Sequence, residues 1–517
     1  MKRIVVKKGL MYPIAGAAAA LPIIFPQIGL FGWLAFIPLA LLCLSGTGCE
    51  EGKGRFFRCY RRGFSFFFAY FLVSFSWLLY LYPLSVTGMD KGAALFVVLF
   101  AWIGIPVLQS TGFALVLPIF DMARRRGLPR GVLPIFMGAL WSIGEWVQNF
   151  FWFGVPWVRI ALSQTEMPVL FSSASLLGSY FVGFLIIAVN FYIALAVKSV
   201  KGRERAVFSG IAAIIFALNF VFGVMNVRLM KNAEYKTVTV SALQGNLDSD
   251  DKWGSTFEGT VEIYDRLCST AKEEGAEYAL LPETAFPYNA EKNSGVDLAI
   301  AALASKYEMT LFVGTFGDGG EDVLNVIRVY APNASGETVY VKRRPVPFGE
   351  YIPMRDLILA VIPALGEINM LERSILPGDE SSVWQDGESG FGYLICFDSI
   401  YAEYARESVL SGAEALMIST NDSWFGDSVG IRMHNAAARL RAAENARSVV
   451  RSANTGISSV ITPWGEESDM IPYDTEGQIT KEIAMNDSLT LYSRIGDLFV
   501  YICLAASALM LAYKKRG

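Results

Sequence analysis

Three side chains in the second half of this sequence have the types and settings to build a nucleophilic site: Glu283 in LLPETAFPY, Lys342 in VYVKRRPVPFGEYIP and Cys396 in GYLICFDSIY. A thiol is a weak nucleophile until it loses its proton, with a free pKa of about 8.5. A neighbouring ammonium stabilises the thiolate, and a carboxylate in a partly dry site accepts the proton. The same ammonium then faces the oxyanion that forms when a carbonyl is attacked. Such a set needs no histidine, which matters in a chain whose only one is His434. Each residue alone has a plainer reading. A buried free cysteine packs as a small apolar residue, a glutamate after Pro282 suits the first turn of a helix, and a lysine ending a strand is solvated.

Two other constellations compete. GDSVG, 426–430, fits the GxSxG nucleophile elbow, but that motif needs an acid and then a histidine further along, and His434 stands too close with no acid between. Cys396 and His434 could form a Cys–His pair. Against it, His434 heads the alanine- and arginine-rich run HNAAARLRAAENAR, where a capping or surface histidine is the simpler expectation. The six cysteines (43, 49, 59, 268, 396 and 503) form no CxxC or zinc spacing, and a single histidine excludes a histidine-rich metal site. The expectation is no metal and no cofactor.

The elements that must carry these residues fall into two kinds. Between 236 and 461 short apolar runs read as strands: KTVTVSALQG, EYALLPET, MTLFVGTF, VLNVIRVY, ETVYVKRR, FGYLICF, ALMIST and SSVITP. Helical patterns cover 256–274, 294–306 and 432–447. Strands alternating with helices, plus adjacent strands, indicate a layered α/β domain. Polar residues at the same ends of neighbouring strands can converge on one point.

The rest of the 517-residue chain is different. It is 53% hydrophobic overall, with a mean hydropathy of +0.40, and the excess sits in residues 10–230 and 495–513. Runs near 10–26, 29–45, 64–84, 93–120, 131–149, 167–197, 207–228 and 495–513 predict about eight membrane spans, the first two sharing a Pro26 turn. Lys and Arg cluster at the N-terminus, at 53–62, 124–130, 198–205 and 514–516, while the intervening loops are poor in them. The positive-inside rule then puts both termini in the cytoplasm and 231–490 outside. The predicted boundaries are a transmembrane domain at 1–229, an extracytoplasmic domain at 230–492, and a final span with a cytoplasmic tail at 493–517. Glu145 near the outer end of a span is either a functional intramembrane carboxylate or one that reaches the headgroups. Aromatics in FFWFGVPW, 150–157, suit an interfacial belt. A net charge of −4 and no basic stripe give no nucleic-acid signal.

Beyond the triad, QGNLDSDDKW (244–253), NDSWFGDSVG (421–430) and RAAENARSVVRSANTGISSVITPWG (441–465) complete an ordered motif set. With LLPETAFPY, VKRRPVPFGEYIP and ICFDSI, the chain resembles the apolipoprotein N-acyltransferases, membrane enzymes of the nitrilase superfamily, over almost its whole length. The resemblance implies an αββα nitrilase-like sandwich on a polytopic helical membrane domain in a bacterial inner membrane. It implies acyl transfer from a phospholipid, phosphatidylethanolamine, to the α-amine of a diacylglyceryl-cysteine apolipoprotein through a Cys396 thioester, by a monomer. Glu283 would be the general base and Lys342 the oxyanion stabiliser. Glu350, Trp253, Trp424, Phe397, Asp398 and Asn325 would support the site or the substrate. The family has tyrosine and glutamate where this chain has Phe397 and Asp398, a lost hydroxyl and a shortened acid. The apolar LILAVIPALGEI, 357–368, would be a lid toward lipid, or else a buried helix. A membrane-tethered amidase using the same triad with water as acceptor is the alternative within this chemistry. A transporter or scaffold with an inert outer domain is the alternative outside it, disfavoured by the scarcity of charge at membrane depth.

Overall fold

The computed structural model describes residues 9–84, 88–150, 154–247, 256–361 and 374–513. The chain divides into two compact units. The first comprises Met1–Leu78, Leu99–Lys231 and Ile495–Gly517; the second comprises Leu79–Val98 and Asn232–Arg494. Segment 79–98 groups with the second unit, where a Cβ built on Gly426 would lie 3.2 Å from the Tyr80 ring. Sequence hydropathy assigns this segment to the membrane domain because it is apolar, and so misses that grouping.

The first unit is helical. Among the described residues, four runs are long and apolar enough to cross a bilayer by length and composition: Pro26–Ser45, Lys91–Arg125, Ser179–Lys198 and Gly202–Lys231. Met11–Ile24, Leu133–Val147, Pro168–Leu177 and Leu498–Ala512 are shorter apolar helices. The run expected at 64–84 is a helix from Arg55 to Ser74 followed by a 3-10 segment, Ser76–Leu81. The run at 167–197 breaks at Gly178, whose φ of +79° ends one short helix before Ser179 starts the next. Small residues let these helices approach closely: a Cβ on Gly16 would fall 2.1 Å from the Phe66 carbonyl oxygen, and one on Gly63 2.6 Å from that of Ala114. Glu145 is interior to this unit. Its Oε1 accepts from Trp141 Nε1 and from the Ile160 amide, both at 2.9 Å, and its side chain is buried, which sets aside the headgroup reading. Residues 151–153 of FFWFGVPW lie outside the described residues.

Among the described residues, the second unit holds two sheets. Its strands are β1 (Lys236–Gln244), β2 (Tyr278–Leu280), β3 (Phe286–Asn289), β4 (Thr310–Gly319), β5 (Asp322–Tyr330), β6 (Glu337–Val341), β7 (Ile375–Leu376), β8 (Val383–Asp386), β9 (Ser389–Ile395), β10 (Ala415–Thr420), β11 (Ser448–Ala453), β12 (Ser458–Ile461), β13 (Glu467–Ile471) and β14 (Gly477–Met485). One sheet runs β14-β1-β2-β4-β5-β6, the other β13-β12-β11-β10-β9-β8. Within them β1, β2 and β4 are parallel neighbours, as are β9, β10 and β11. Strands β9, β10 and β11 are buried along their whole length, as parallel strands covered on both faces must be.

Three apolar clusters account for the packing. One joins both sheets, with Val240, Leu280, Phe312 and Ile327 meeting Phe391, Tyr393, Met417 and Val450. A second packs the first sheet against helices Phe257–Glu273 and Ser294–Lys306 through Leu267, Ile300 and Leu311. A third packs the other sheet against helices Ala402–Leu410 and Val429–Asn445 through Leu394, Val409 and Ala438. The last helix overturns one expectation. It is not a solvated surface helix: every residue from Met433 to Asn445 is buried, and its arginines spend their protons inside, Arg441 donating to Glu444 at 2.7 Å and to the Ile400 carbonyl at 3.0 Å. Ser428 is its N-cap, accepting from the Gly430 amide at 3.1 Å, so GDSVG is a helix start and not a nucleophile elbow.

Candidate active site

Glu283 follows β2, Lys342 follows β6, Cys396 follows β9 and Thr420 ends β10. Parallel strands with a common direction deliver the residues at their carboxyl ends to one rim of each sheet, and hydrogen bonds between the sheets bring the two rims together. Ser419 Oγ donates to the Leu281 carbonyl at 2.9 Å, and Asn454 Nδ2 to the Glu283 carbonyl at 2.8 Å. Gly314 on β4 is what allows the Glu283 segment to settle. A Cβ there would sit 2.3 Å from the Pro282 carbonyl oxygen and 2.8 Å from Glu283 Cα, so only glycine permits this approach.

The rim holds a charge cluster. Lys342 Nζ donates to Glu283 Oε1 at 2.8 Å and to Glu350 Oε1 at 2.7 Å, and the lysine is only 1% exposed. The solvated-lysine reading therefore fails. Asn325 Nδ2 donates to Glu283 Oε1 at 2.7 Å, and its carbonyl accepts from the Lys342 amide at 2.8 Å. Glu350 Oε2 accepts from the Val346 amide at 2.6 Å. Burial opposes the ammonium of Lys342, but Glu283 and Glu350 outweigh it and hold its pKa well above the usual lysine value. Burial raises the Glu350 carboxyl, with Lys342 pulling it down and Glu283 pushing it up. One permanent cation thus stands between two carboxylates.

Cys396 sits at the turn out of β9 with φ of +48°, a left-handed conformation that costs a non-glycine residue about 1–2 kcal/mol. Its thiol is held in the protonated form: burial raises it most, Glu283 adds to that, and Lys342 and a hydrogen bond with Thr420 pull the other way. The arrangement supplies a proton acceptor, a cation beside it and a nucleophile coupled electrostatically to both, which is the equipment for attack on a carbonyl.

The supporting residues fall into distinct places. Asp398 is fully buried. Its Oδ2 accepts from Tyr340 Oη at 2.9 Å, from the Arg343 amide and from the Ile395 amide; its Oδ1 accepts from the Arg344 amide at 2.7 Å. It ties the residues after Lys342 to the strand that carries Cys396. The shorter acid reaches all of these partners, so it acts on the frame of the site. The Phe397 ring packs edge-on to Tyr401 at 5.4 Å. Trp424 lies half-buried in a 3-10 turn, Ser423–Phe425. Trp253 and residues 362–368 of the expected lid lie outside the described residues; 355–361 form a helix on which Leu357 is exposed.

Residue-type reasoning undervalued two positions and missed one. His434 is completely buried, contrary to the surface expectation, and Asp422, inside the quoted NDSWFGDSVG motif, contacts it at 2.8 Å. Arg451 on β11 completes this group, donating to Asp422 Oδ2 at 2.6 Å. An arginine inside the run SVVRSA, among valines and small residues, is the signal that could have revealed a buried anion nearby. Donor atoms of Cys396, Asp422 and His434 lie within 4.8 Å of one another. They do not suit a metal, because both ring nitrogens and both carboxylate oxygens are already taken by hydrogen bonds.

A fold of two facing sheets with a carboxylate, a lysine and a cysteine at one rim defines a nitrilase-type cysteine enzyme, and a carbon–nitrogen hydrolase family model matches residues 239–490. The helical part matches the model for the apolipoprotein N-acyltransferase N-terminal domain over residues 15–192. The two models together span most of the chain, which is an acyltransferase with a nitrilase-superfamily domain and is similar to the apolipoprotein N-acyltransferases along nearly its whole length. An apolipoprotein N-acyltransferase from Geobacter metallireducens is 29% identical, with 98% of this chain and 96% of the relative aligned. One from Gloeobacter violaceus is 26% identical over 96% of this chain and 92% of the relative. An amidase of known structure from a Nesterenkonia species has a TM-score of 0.40 at 16% identity, covering 52% of this chain and 97% of the amidase.

Proposed function

We infer that this enzyme moves an acyl chain from a phospholipid, phosphatidylethanolamine in the first instance, to the α-amine of a diacylglyceryl-cysteine at the start of an apolipoprotein. Cys396 Sγ attacks the ester carbonyl while its proton passes to Glu283. The oxyanion forms beside the Lys342 ammonium. Collapse breaks the ester C–O bond, and the proton on Glu283 goes to the departing lysophospholipid oxygen, leaving a thioester on Cys396. The neutral acceptor amine then attacks that thioester. Glu283 takes the amine proton, the C–S bond breaks, and the proton returns to sulfur as the amide leaves.

The observation that carries this reading is the buried Lys342 clamped between Glu283 and Glu350 at 2.8 and 2.7 Å, with the Cys396 thiol coupled to it. Glu350 acts by balancing the cation, Asp398 and Asn325 by fixing the two strand ends, and Trp424 and Phe397 by bordering the substrate, with Trp253 a further residue serving the substrate. A thioester is lost to water unless the site is dry, and Cys396 is only 8% exposed. The clusters on either side of the paired sheets support an αββα sandwich at 230–492. The alternation of Lys/Arg-rich loops supports about eight spans, with 1–229 and 493–517 in a bacterial inner membrane and the sandwich outside; the enzyme is taken to act as a monomer.

Mass spectrometry of the purified full chain in micelles with phosphatidylethanolamine tests this directly. The expected result is an acyl mass on the Cys396 peptide, absent in Cys396→Ser, and its transfer to an added diacylglyceryl-cysteine peptide as an amide. Free fatty acid with no acylated peptide would make the enzyme a hydrolase; an adduct on a different residue would remove Cys396 as nucleophile.

A further inference from the structure

Behind Cys396 lies a buried group that the acyl-transfer steps above leave unused. His434 Nε2 is 3.1 Å from the Cys396 carbonyl oxygen and 3.0 Å from Ser399 Oγ, and Ser399 Oγ donates to the same carbonyl at 2.7 Å. On its other side, His434 Nδ1 is 2.8 Å from Asp422 Oδ1. Arg451 Nη2 donates to Asp422 Oδ2 at 2.6 Å, and Thr420 Oγ1 donates to Oδ1 at 3.1 Å. His434, Asp422, Ser399 and Arg451 are all fully buried. Asp422 accepts only, and Arg451 donates only. Nε2 faces two acceptors, the Cys396 carbonyl and the oxygen of Ser399, whose own proton goes to that carbonyl, so the ring proton sits on Nε2; Nδ1, with Arg451 Nη2 at 3.1 Å, accepts from the arginine.

That carbonyl belongs to the residue with φ of +48°. A left-handed cysteine relaxes unless its surroundings hold it, and here the holding contacts converge on its own peptide oxygen. We propose that His434, oriented by Asp422 and Arg451, is the positioning residue of the nucleophile: its Nε2–H tethers the Cys396 carbonyl and so fixes the turn that presents Sγ to Lys342 and Glu283. It is not the base, because both of its ring nitrogens are engaged away from the thiol proton. Asp422 and Arg451 form the charged pair that lets an imidazole sit in a water-free interior with its ring plane set.

This rests on the acyl-transfer reading, and the test separates the two. The full-length enzyme is assayed in micelles for thioester formation from phosphatidylethanolamine, with kcat and KM measured for transfer to the acceptor peptide. In parallel, the rate of iodoacetamide alkylation at the Cys396 peptide is measured. A glutamine amide reaches the place of Nε2, whereas an asparagine amide reaches only that of Nδ1. His434→Ala is expected to lower kcat about 10²-fold with KM little changed. His434→Gln should regain about tenfold of that loss and His434→Asn none of it, with alkylation following the same order. Equal behaviour of the glutamine and asparagine variants, or wild-type kcat in His434→Ala, overturns the tether. Should His434→Ala fail to fold, Ser399→Ala tests the same carbonyl: a several-fold fall in kcat at unchanged KM is expected, and an unchanged kcat defeats the proposal. Absence of any acyl adduct on wild-type Cys396 would fail the acyl-transfer reading alone, while the alkylation order still decides the tether.

Discussion

The chemistry rests on how one thiol is kept protonated yet ready. Burial and the Glu283 charge raise the Cys396 pKa, while Lys342 lowers it. Two effects follow for Glu283→Gln. Losing the proton acceptor should slow thioester formation by about 10²–10⁴-fold, read by single-turnover mass spectrometry. Losing the negative charge should also let the thiol ionise more readily, because a like charge no longer opposes the thiolate and Lys342 acts on it undiluted. The pH profile of Cys396 alkylation should therefore shift to lower pH in this variant, against a wild-type rate still climbing past the free-thiol value of about 8.5. A shift to higher pH would contradict the electrostatic coupling. Tyr340→Phe belongs to this scale too. It removes a donor from Asp398 and leaves a buried acceptor short, a cost of about 1–3 kcal/mol, read as a lower unfolding temperature. Acyl transfer should persist in folded protein, because Asp398 keeps its three backbone partners.

At the scale of elements, the site depends on how closely strand ends approach each other. Gly314 is the tightest such point near Glu283, with a would-be Cβ 2.3 Å from the Pro282 carbonyl oxygen. Backbone cannot yield as a flexible side chain can, so Gly314→Ala should cost about 1–3 kcal/mol in stability. It should also displace Glu283 from Lys342 and slow thioester formation, while Gly210→Ala, on the helix Gly202–Lys231 where a Cβ meets nothing within 4 Å, leaves Glu283 where it is. Equal thioester rates in these two variants would remove Gly314 from the site's construction. Legibility at this scale was uneven. Strands β1, β4, β5, β9 and β10 were read from their apolar runs, and the helices 257–273 and 294–306 from their period. Strand β11 was not, because SVVRSA carries an arginine whose partner, Asp422, arrives from β10's far end. Strands β13 and β14 escaped because their exposed charged residues hide the alternation, and pairing of β14 with β1 joins residues at opposite ends of the unit.

For the whole molecule, the distribution of lysine and arginine predicts one arrangement. In that arrangement Glu388, with a side chain 92% exposed, would face the outside, and Glu51, 86% exposed, the cytoplasm. An impermeant maleimide applied to intact cells should label Glu388→Cys once the outer face of the inner membrane is accessible, and Glu51→Cys only after the membrane is permeabilised. The reverse pattern would invert the topology and put the thioester on the wrong side for an exported acceptor.

What the sequence alone determined here is whatever depends on residue type and local pattern. That covers a chain half membrane-like and half α/β, the charge bias of its loops, and a glutamate, a lysine and a cysteine each at a strand end. Those features survive in one dimension because hydropathy and period are local quantities. The tertiary structure alone decided which end met which: that Lys342 is shared by Glu283 and Glu350, that Asp398 braces the frame, and that the single histidine lies buried against the carbonyl of Cys396. Such contacts join residues far apart in the chain, and their energies come from burial and hydrogen-bond geometry that exist only once the two sheets have closed on each other.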